Sequence, residues 1–412
     1  MMLRKLTPLF GMLFIFSVSA NTPTNEEIYQ MMMELKKEIA ELKAENKKLK
    51  ESVEVVEESV DDVVIATDEA IKAQEKKASK YSWGGYGELH GNWLDDQKGS
   101  DDTDQMDFHR FVLYFNYEYS EKLRFVSELE LEHSIAGDGQ EGEIELEQAY
   151  IQYDINDSTS ISSGLFLMPV GILNETHEPD TFYGVERNDI EKNIIPTTWW
   201  EGGALVSHNL TEGLNLKASI SSGLKVDATG ANAWNVRKGR QKVGNATAKH
   251  LAYTAALKYT AIPGFSLGGS LSYQDDIDQG TSGLGDDAIL SEVHFDLEKG
   301  NYGLRAMYAR WDINGSGPES TGQDEQFGWF VEPSYKTSTS YGDFGFFGRY
   351  SVWDNKDGSG STSDTKYKQI NYGVNWWIHP QVVFKADWQD QDVGSGITKE
   401  LDGLNLGVGY SF

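Results

Sequence analysis

A set of ionisable side chains of both signs lies between Met168 and Thr198, in MPVGILNETHEPDTFYGVERNDIEKNIIPTT. Glu175, Glu178, Asp180, Glu186, Asp189 and Glu191 outnumber Arg187 and Lys192 there, with His177 among them. Charges of both signs on one segment suit control of a passage, because a transverse field orients hydrated ions and turns away apolar solutes. Hydrolysis would instead need a serine or paired carboxylates placed with a histidine. The eight histidines are scattered without that spacing, so no catalytic residue is assigned. There is no cysteine, which removes disulfides, thiolate metal sites and thiol nucleophiles; no metal set and no cofactor is implied.

A second group of charges sits on short segments in which polar and apolar residues alternate. By that alternation Arg110, Arg124, Lys217, Lys258, Arg305, Arg349 and Lys385 share the wet face, as do Glu128, Glu130 and Glu132. A bulge or a one-residue slip would flip any of them, so each assignment stands on its own strand's register.

The alternation begins after Tyr81 and runs to the end. In the last segment Leu404, Leu406, Val408, Tyr410 and Phe412 oppose Asn405, Gly407, Gly409 and Ser411. Sixteen such segments start near Tyr86, His109, Leu123, Glu147, Ile161, Gly203, Leu214, Ala248, Phe265, Ile289, Tyr302, Phe327, Phe344, Lys368, Val382 and Leu404. Tight links such as Asn156-Asp-Ser and Ile262-Pro-Gly alternate with long polar ones; Lys336 to Asp343 is the longest of the tight set. Short turns at one rim and long loops at the other are the pattern of an antiparallel transmembrane β-barrel, which pairs every backbone group and leaves no edge in lipid. The predicted fold is all-β, a 16-stranded barrel over 81–412 preceded by an N-terminal α-helical coiled coil.

The link at about 168–198 exceeds what a hairpin needs. It is expected to fold into the lumen as a constriction loop, with Ile172, Leu173, Phe182 and Tyr183 as apolar anchors. Trp83, Trp93, Trp199, Trp200, Trp376, Trp377 and Trp388 lie near strand ends, where an aromatic girdle would sit. The basic run Arg237, Lys238, Arg240 and Lys242 in the fourth long link either meets lipopolysaccharide or folds inward; the sequence leaves both open.

Ahead of the barrel, Arg4 and Lys5, the apolar stretch from Leu9 and Val18-Ser-Ala20 read as a secretory leader over 1–20. Residues 21–80 carry a heptad repeat. Ile28, Leu35, Leu42, Leu49, Val56 and Val63 fill one seam position, and Met32, Ile39, Asn46, Val53 and Val60 the other. Valine at both positions favours a trimer, whereas a lone seam asparagine is commonest in dimers. The net charge of −29 argues against nucleic acid as a partner.

The stretches YGELHGNW, DFHRFVLYF, RFVSELELEH, EIELEQAYIQYD and, above all, PVGILNETHEPDTFYGVERNDIEKNIIPTTWWEGG resemble the phosphate-selective porin O and P family. The resemblance covers about 83–412. It implies a homotrimeric 16-stranded channel whose third loop forms the constriction. The barrel reading itself sets the chain in the outer membrane of a Gram-negative bacterium among lipid, with its charged outer loops towards lipopolysaccharide and, both chain ends lying on the short-turn side, the coiled coil in the periplasm. Small hydrophilic solutes or inorganic ions, phosphate among them, would pass. Phosphate-selective members crowd lysines at the constriction and carry an arginine ladder. Here Arg187 and Lys192 are the only cations of the third link, which favours a general porin over a phosphate channel. A tethering role for the rod, with the channel incidental, is the remaining alternative.

Overall fold

The structure, a computed structural model, describes residues 25–26, 28–30, 32–50 and 80–412. They belong to two units, one ending at Ser79 and the other spanning Lys80–Phe412. In the first, helix α1 lies within 25–50. The heptad spacing sets Ile28, Met32, Leu35, Ile39, Leu42 and Leu49 along one stripe with Asn46, and all six apolar side chains are exposed. The seam positions Val53, Val56, Val60 and Val63, and the leader at 1–20, lie outside the described residues.

The second unit is a closed barrel of sixteen strands. These are β1 (Tyr81–Asp96), β2 (Thr103–Ser120), β3 (Leu123–Glu132), β4 (Ile144–Asn156), β5 (Thr159–Leu167), β6 (Trp200–Thr211), β7 (Leu214–Ser221) and β8 (Ala252–Ile262). They continue as β9 (Phe265–Gln274), β10 (Ala288–Lys299), β11 (Tyr302–Ile313), β12 (Glu325–Thr339), β13 (Gly342–Asp354), β14 (Tyr367–His379), β15 (Val382–Val393) and β16 (Leu401–Ser411). Each pairs antiparallel with its chain neighbours, and β1 pairs with β16 to close the ring. Closure matters because an unpaired amide or carbonyl in hydrocarbon costs several kcal/mol. At the seam Gly85 and Phe412 exchange backbone hydrogen bonds of 3.0 and 2.9 Å.

Alternation sets the two faces. On β10, Leu290, Glu292 and His294 are buried towards the interior, while Ile289 and Val293 point out. On β16, Asn405 is fully buried between the outward Leu404 and Leu406. Tight turns need left-handed backbone at places such as Gly213 (φ 72) and Gly264 (φ 74), where a glycine meets that need without strain. The β12–β13 link is shorter than its sequence suggests, since the strands extend to Thr339 and Gly342.

The longest connections are the third, 168–199, holding helix α2 (Ile190–Asn193), and the fourth, 222–251. Helix α3 (Ser316–Thr321) lies in the sixth. Both of the longest loops fold inward. Met168, Val170, Ile190, Ile194, Ile195 and Trp199 of the third pack with Leu224, Val226, Trp234 and Val236 of the fourth, against Met307, Trp311, Phe330 and Trp353 of the wall. This core overturns part of the girdle. Trp83, Trp93 and Trp388 are exposed on the outside, but Trp199, Trp200 and Trp377 are buried, Trp199 because the apolar core within the barrel takes it.

Candidate functional site

The third loop leaves β5 and crosses to the opposite wall. Its base is clasped by Asn174, whose Nδ2 donates to the carbonyls of Met168 (2.7 Å) and Trp199 (2.9 Å) while its Oδ1 accepts from the Trp199 amide (2.6 Å). Farther along, Glu191 Oε1 accepts from the amides of Ile172 (2.7 Å) and Leu173 (2.6 Å), and its Oε2 accepts from Asn188 Nδ2 (2.6 Å). One buried carboxylate thus ties the first turn of the loop to α2.

The wall then holds the loop through its backbone. Asn375 donates to the Phe182 carbonyl (3.0 Å) and accepts from the Gly184 amide (3.2 Å). Asp387 accepts from the Val185 amide (2.7 Å), and Arg349 donates to the Tyr183 carbonyl (2.6 Å). Asp180 accepts from Ser411 Oγ (3.0 Å), and Gln369 donates to Asp189 (3.1 Å). On the near wall Tyr114 donates to Glu178 (3.2 Å) and Lys217 to Glu175 (2.5 Å). Partners drawn from β2, β7 and β13–β16 place the loop across the bore. Of the anchors, Leu173 and Phe182 are buried and Ile172 and Tyr183 half-buried.

His177 fixes the loop to β3 and β4. Its Nε2 is 3.4 Å from Glu147 Oε2 and 3.6 Å from Glu128 Oε1, all three side chains being buried. Burial and the neighbouring Arg187 push the imidazole down, yet the two carboxylates prevail and its pKa rises to about 9. Glu186 accepts from both His90 (3.1 Å) and Asn92 (3.4 Å) and lies 3.5 Å from Lys192. Against its burial, Lys192 and His90 hold it well below the ordinary carboxylate range. Asp189 differs: burial raises it to about 6 despite Lys192 and Arg349. Arg187 donates to Thr198 Oγ1 (2.7 Å), and burial with Arg110 nearby lowers it.

A cavity of about 490 Å³ opens on the long-loop side of this segment, lined by Glu186, Arg187, Asp189 and Lys192 opposite the amides of Asn371 and Gln391. Another, of about 500 Å³, lies towards the short turns between Glu175, Lys217, Lys258 and Glu292.

The model of the family described as phosphate-selective porin O and P matches residues 84–394. The chain belongs to that family. It is an outer-membrane channel for passive diffusion, with the closed sixteen-stranded barrel of such porins. A protein of Aquifex aeolicus described only as uncharacterized is 29% identical over 343 residues, 76% of each chain. Among solved structures, the outer membrane channel DcaP of Acinetobacter baumannii superposes with a TM-score of 0.57 at 13% identity, over 81% of this chain and 97% of its own. An anion-selective porin from Comamonas acidovorans gives 0.53 at 10% identity, over 81% and 99%.

In this porin the wall arginines are engaged. Arg110 pairs with Glu88 (2.9 Å) and Glu130 (3.5 Å), Arg305 with Asp296 (2.7 Å), Arg349 with Glu332 (2.6 Å), and Arg124 with Asp154. Lys385 stands 3.6 Å from the centre of the Phe182 ring. Lys258 has no ion-pair partner among the described residues and borders the short-turn cavity with Lys217. Glu132 lies half-buried beside Glu130 and Glu145. The fourth loop's basic run turns inward: Lys242 pairs with Glu143 (2.6 Å) and Glu145, and Arg240 donates to the Thr197 carbonyl. Trp234 and Val236, apolar residues in a polar link, were the available sign of that turn. Residues that alternation alone did not single out include Glu88 and His90, which share the inward phase of Tyr86 and Asn92, and Glu147 and Asp387.

Proposed function

We propose that this porin is a general diffusion channel for small hydrophilic solutes and ions, without phosphate selectivity. The observation that carries the reading is that Arg110, Arg124, Arg305 and Arg349 each face a carboxylate already. A phosphate site needs several converging donors to replace the anion's hydration, and a guanidinium whose charge a Glu or Asp neutralises draws an anion less strongly. The rival reading is supported by Arg187 and Lys192 lining the same cavity, with Arg187 Nε and Nη2 unbonded, as are Arg110 Nη1 and Lys385 Nζ on the wall. Glu186 and Asp189 on that wall oppose it.

Single-channel recording in planar bilayers tests this. Steps in potassium chloride should persist in millimolar phosphate, and the reversal potential in a salt gradient should favour potassium weakly, as the net acidity of the chain requires. Block by micromolar phosphate would overturn the proposal.

The assembly proposed is a homotrimer held in part by a periplasmic coiled coil over 21–80. Its support is the exposed stripe on α1, since a seam of two positions in seven is what supercoiled partners cover. Deleting 25–78 should convert trimers to monomers on mild-detergent gels; if trimers persist while envelope attachment weakens, the segment is a tether instead.

A further inference from the structure

The β1–β2 ladder carries a bulge between Glu88 and His90. Glu88 opposes Arg110 and His90 opposes Asp107, so β2 spends one residue more than β1 over this step. A bulge re-aims side chains that strict alternation would send to the other face. Asp107 and Arg110 both keep the inner side, and His109 turns in between them. Its ring stacks on that of His90, centroids 4.5 Å apart and planes 11° from parallel.

His133 approaches from the next strand. It follows the last residue of β3 with left-handed backbone (φ 54), as does Ser134 (φ 56), a conformation costly for residues other than glycine. Its amide donates to the His109 carbonyl (3.2 Å), which returns its side chain to β2. Asp107 then joins the two rings: Oδ2 lies 3.0 Å from His109 Nδ1, and Oδ1 lies 2.8 Å from His133 Nδ1. One donor atom from each of the three residues falls within 4.8 Å of the others.

We propose that Asp107, His109 and His133 form a binding site for a divalent transition-metal ion of the zinc, nickel or copper class at the long-loop mouth of the barrel. Two donors at about 2.1 Å from one metal stand roughly 3.0–3.4 Å apart; each ring is that close to one oxygen of Asp107, and the three donors, within 4.8 Å of one another, need only close slightly on an ion. Imidazole with carboxylate prefers these ions to calcium or magnesium, which take oxygen shells. Three protein ligands leave coordination open to water, and the half-buried side chains can be reached from the mouth. Glu132 and Glu141 lie near enough to act on His133 electrostatically, so the local field draws cations. The stacked His90 limits rotation of the His109 ring and continues to Glu186, through its Nδ1 at 3.1 Å, which links the site to the constriction loop.

The test uses the full chain, stripped with chelator, desalted and titrated with zinc chloride in detergent. Wild-type protein should retain about one zinc per chain at micromolar concentration, and His109→Ala, His133→Ala and Asp107→Asn should each weaken binding about tenfold or more. X-ray absorption at the zinc edge of the wild type should show two imidazoles, a readout that does not depend on any variant folding. Millimolar magnesium should not compete. Failure to retain zinc, retention that survives the double histidine variant, or a shell of oxygens alone would each overturn the assignment.

Discussion

Glu191→Ala should enlarge and destabilise the open-channel current of this porin. The substitution leaves the buried amides of Ile172 and Leu173 without an acceptor and frees Asn188 Nδ2. Each orphaned buried donor costs about 1–3 kcal/mol, so the two amides alone weaken the tie between the start of the third loop and α2 by roughly 2–6 kcal/mol. Loop segments are held by local free energies well below the global value, and a loss of this size populates detached conformations. The expected record is a single-channel conductance raised about twofold with frequent transitions, and new protease cleavage between Ile172 and Lys192, in a barrel that still migrates as folded. Glu191→Gln keeps one acceptor oxygen for the amide pair and should retain most of the wild-type current. An unchanged current in the alanine variant would remove the loop from the conducting path.

Alkaline pH should release the other half of the same loop. His177 titrates near the ordinary 6.5 when unfolded and at about 9 beside Glu128 and Glu147. Because the folded value is the higher one, the stabilisation is complete below about pH 6.5 and is lost as pH rises through about 9. The difference amounts to about 3 kcal/mol in favour of the anchored loop. Tyr86, Glu130, Arg110 and Arg187 surround the same pocket, so discharge of the imidazole leaves carboxylates facing only the guanidinium groups. Conductance and its noise should therefore step up at about pH 9, and His177→Gln should show the high-pH behaviour throughout. Asp189, raised to about 6, titrates well below that step and is distinguished from it by position. A flat profile from pH 7 to about pH 10 in the wild type would refute the anchor.

Much of this molecule is legible before folding. Period-two segments and alternating link lengths locate sixteen strands, most starts to within about four residues and those of β1 and β2 five or six late, because in lipid the outward face must be apolar and the backbone must pair. Asn405 between Leu404 and Leu406 shows how directly the pattern maps to faces. The partners of the inward charges are another matter. Arg349 meets Glu332 through cross-strand geometry but the Tyr183 carbonyl through a loop 166 residues away in sequence, and no local pattern encodes the second. His109 is hidden for a sharper reason, since the bulge at Glu88 and His90 breaks the alternation by which it would be assigned. The burial of Trp199 likewise follows from a core made where two loops meet, and neither loop's own sequence encodes the meeting.

The junction of Gly85 with Phe412 has a consequence for biogenesis. Fifteen of the sixteen pairings join strands adjacent in the chain and can zip as hairpins add one after another, whereas the last brings together residues from opposite ends of the barrel. Until Phe412 arrives, the sheet carries two raw margins, each a template for a foreign strand. Loss of β16 (Leu401–Ser411) should thus trap an unsealed, aggregation-prone ribbon rather than yield a slightly weaker pore.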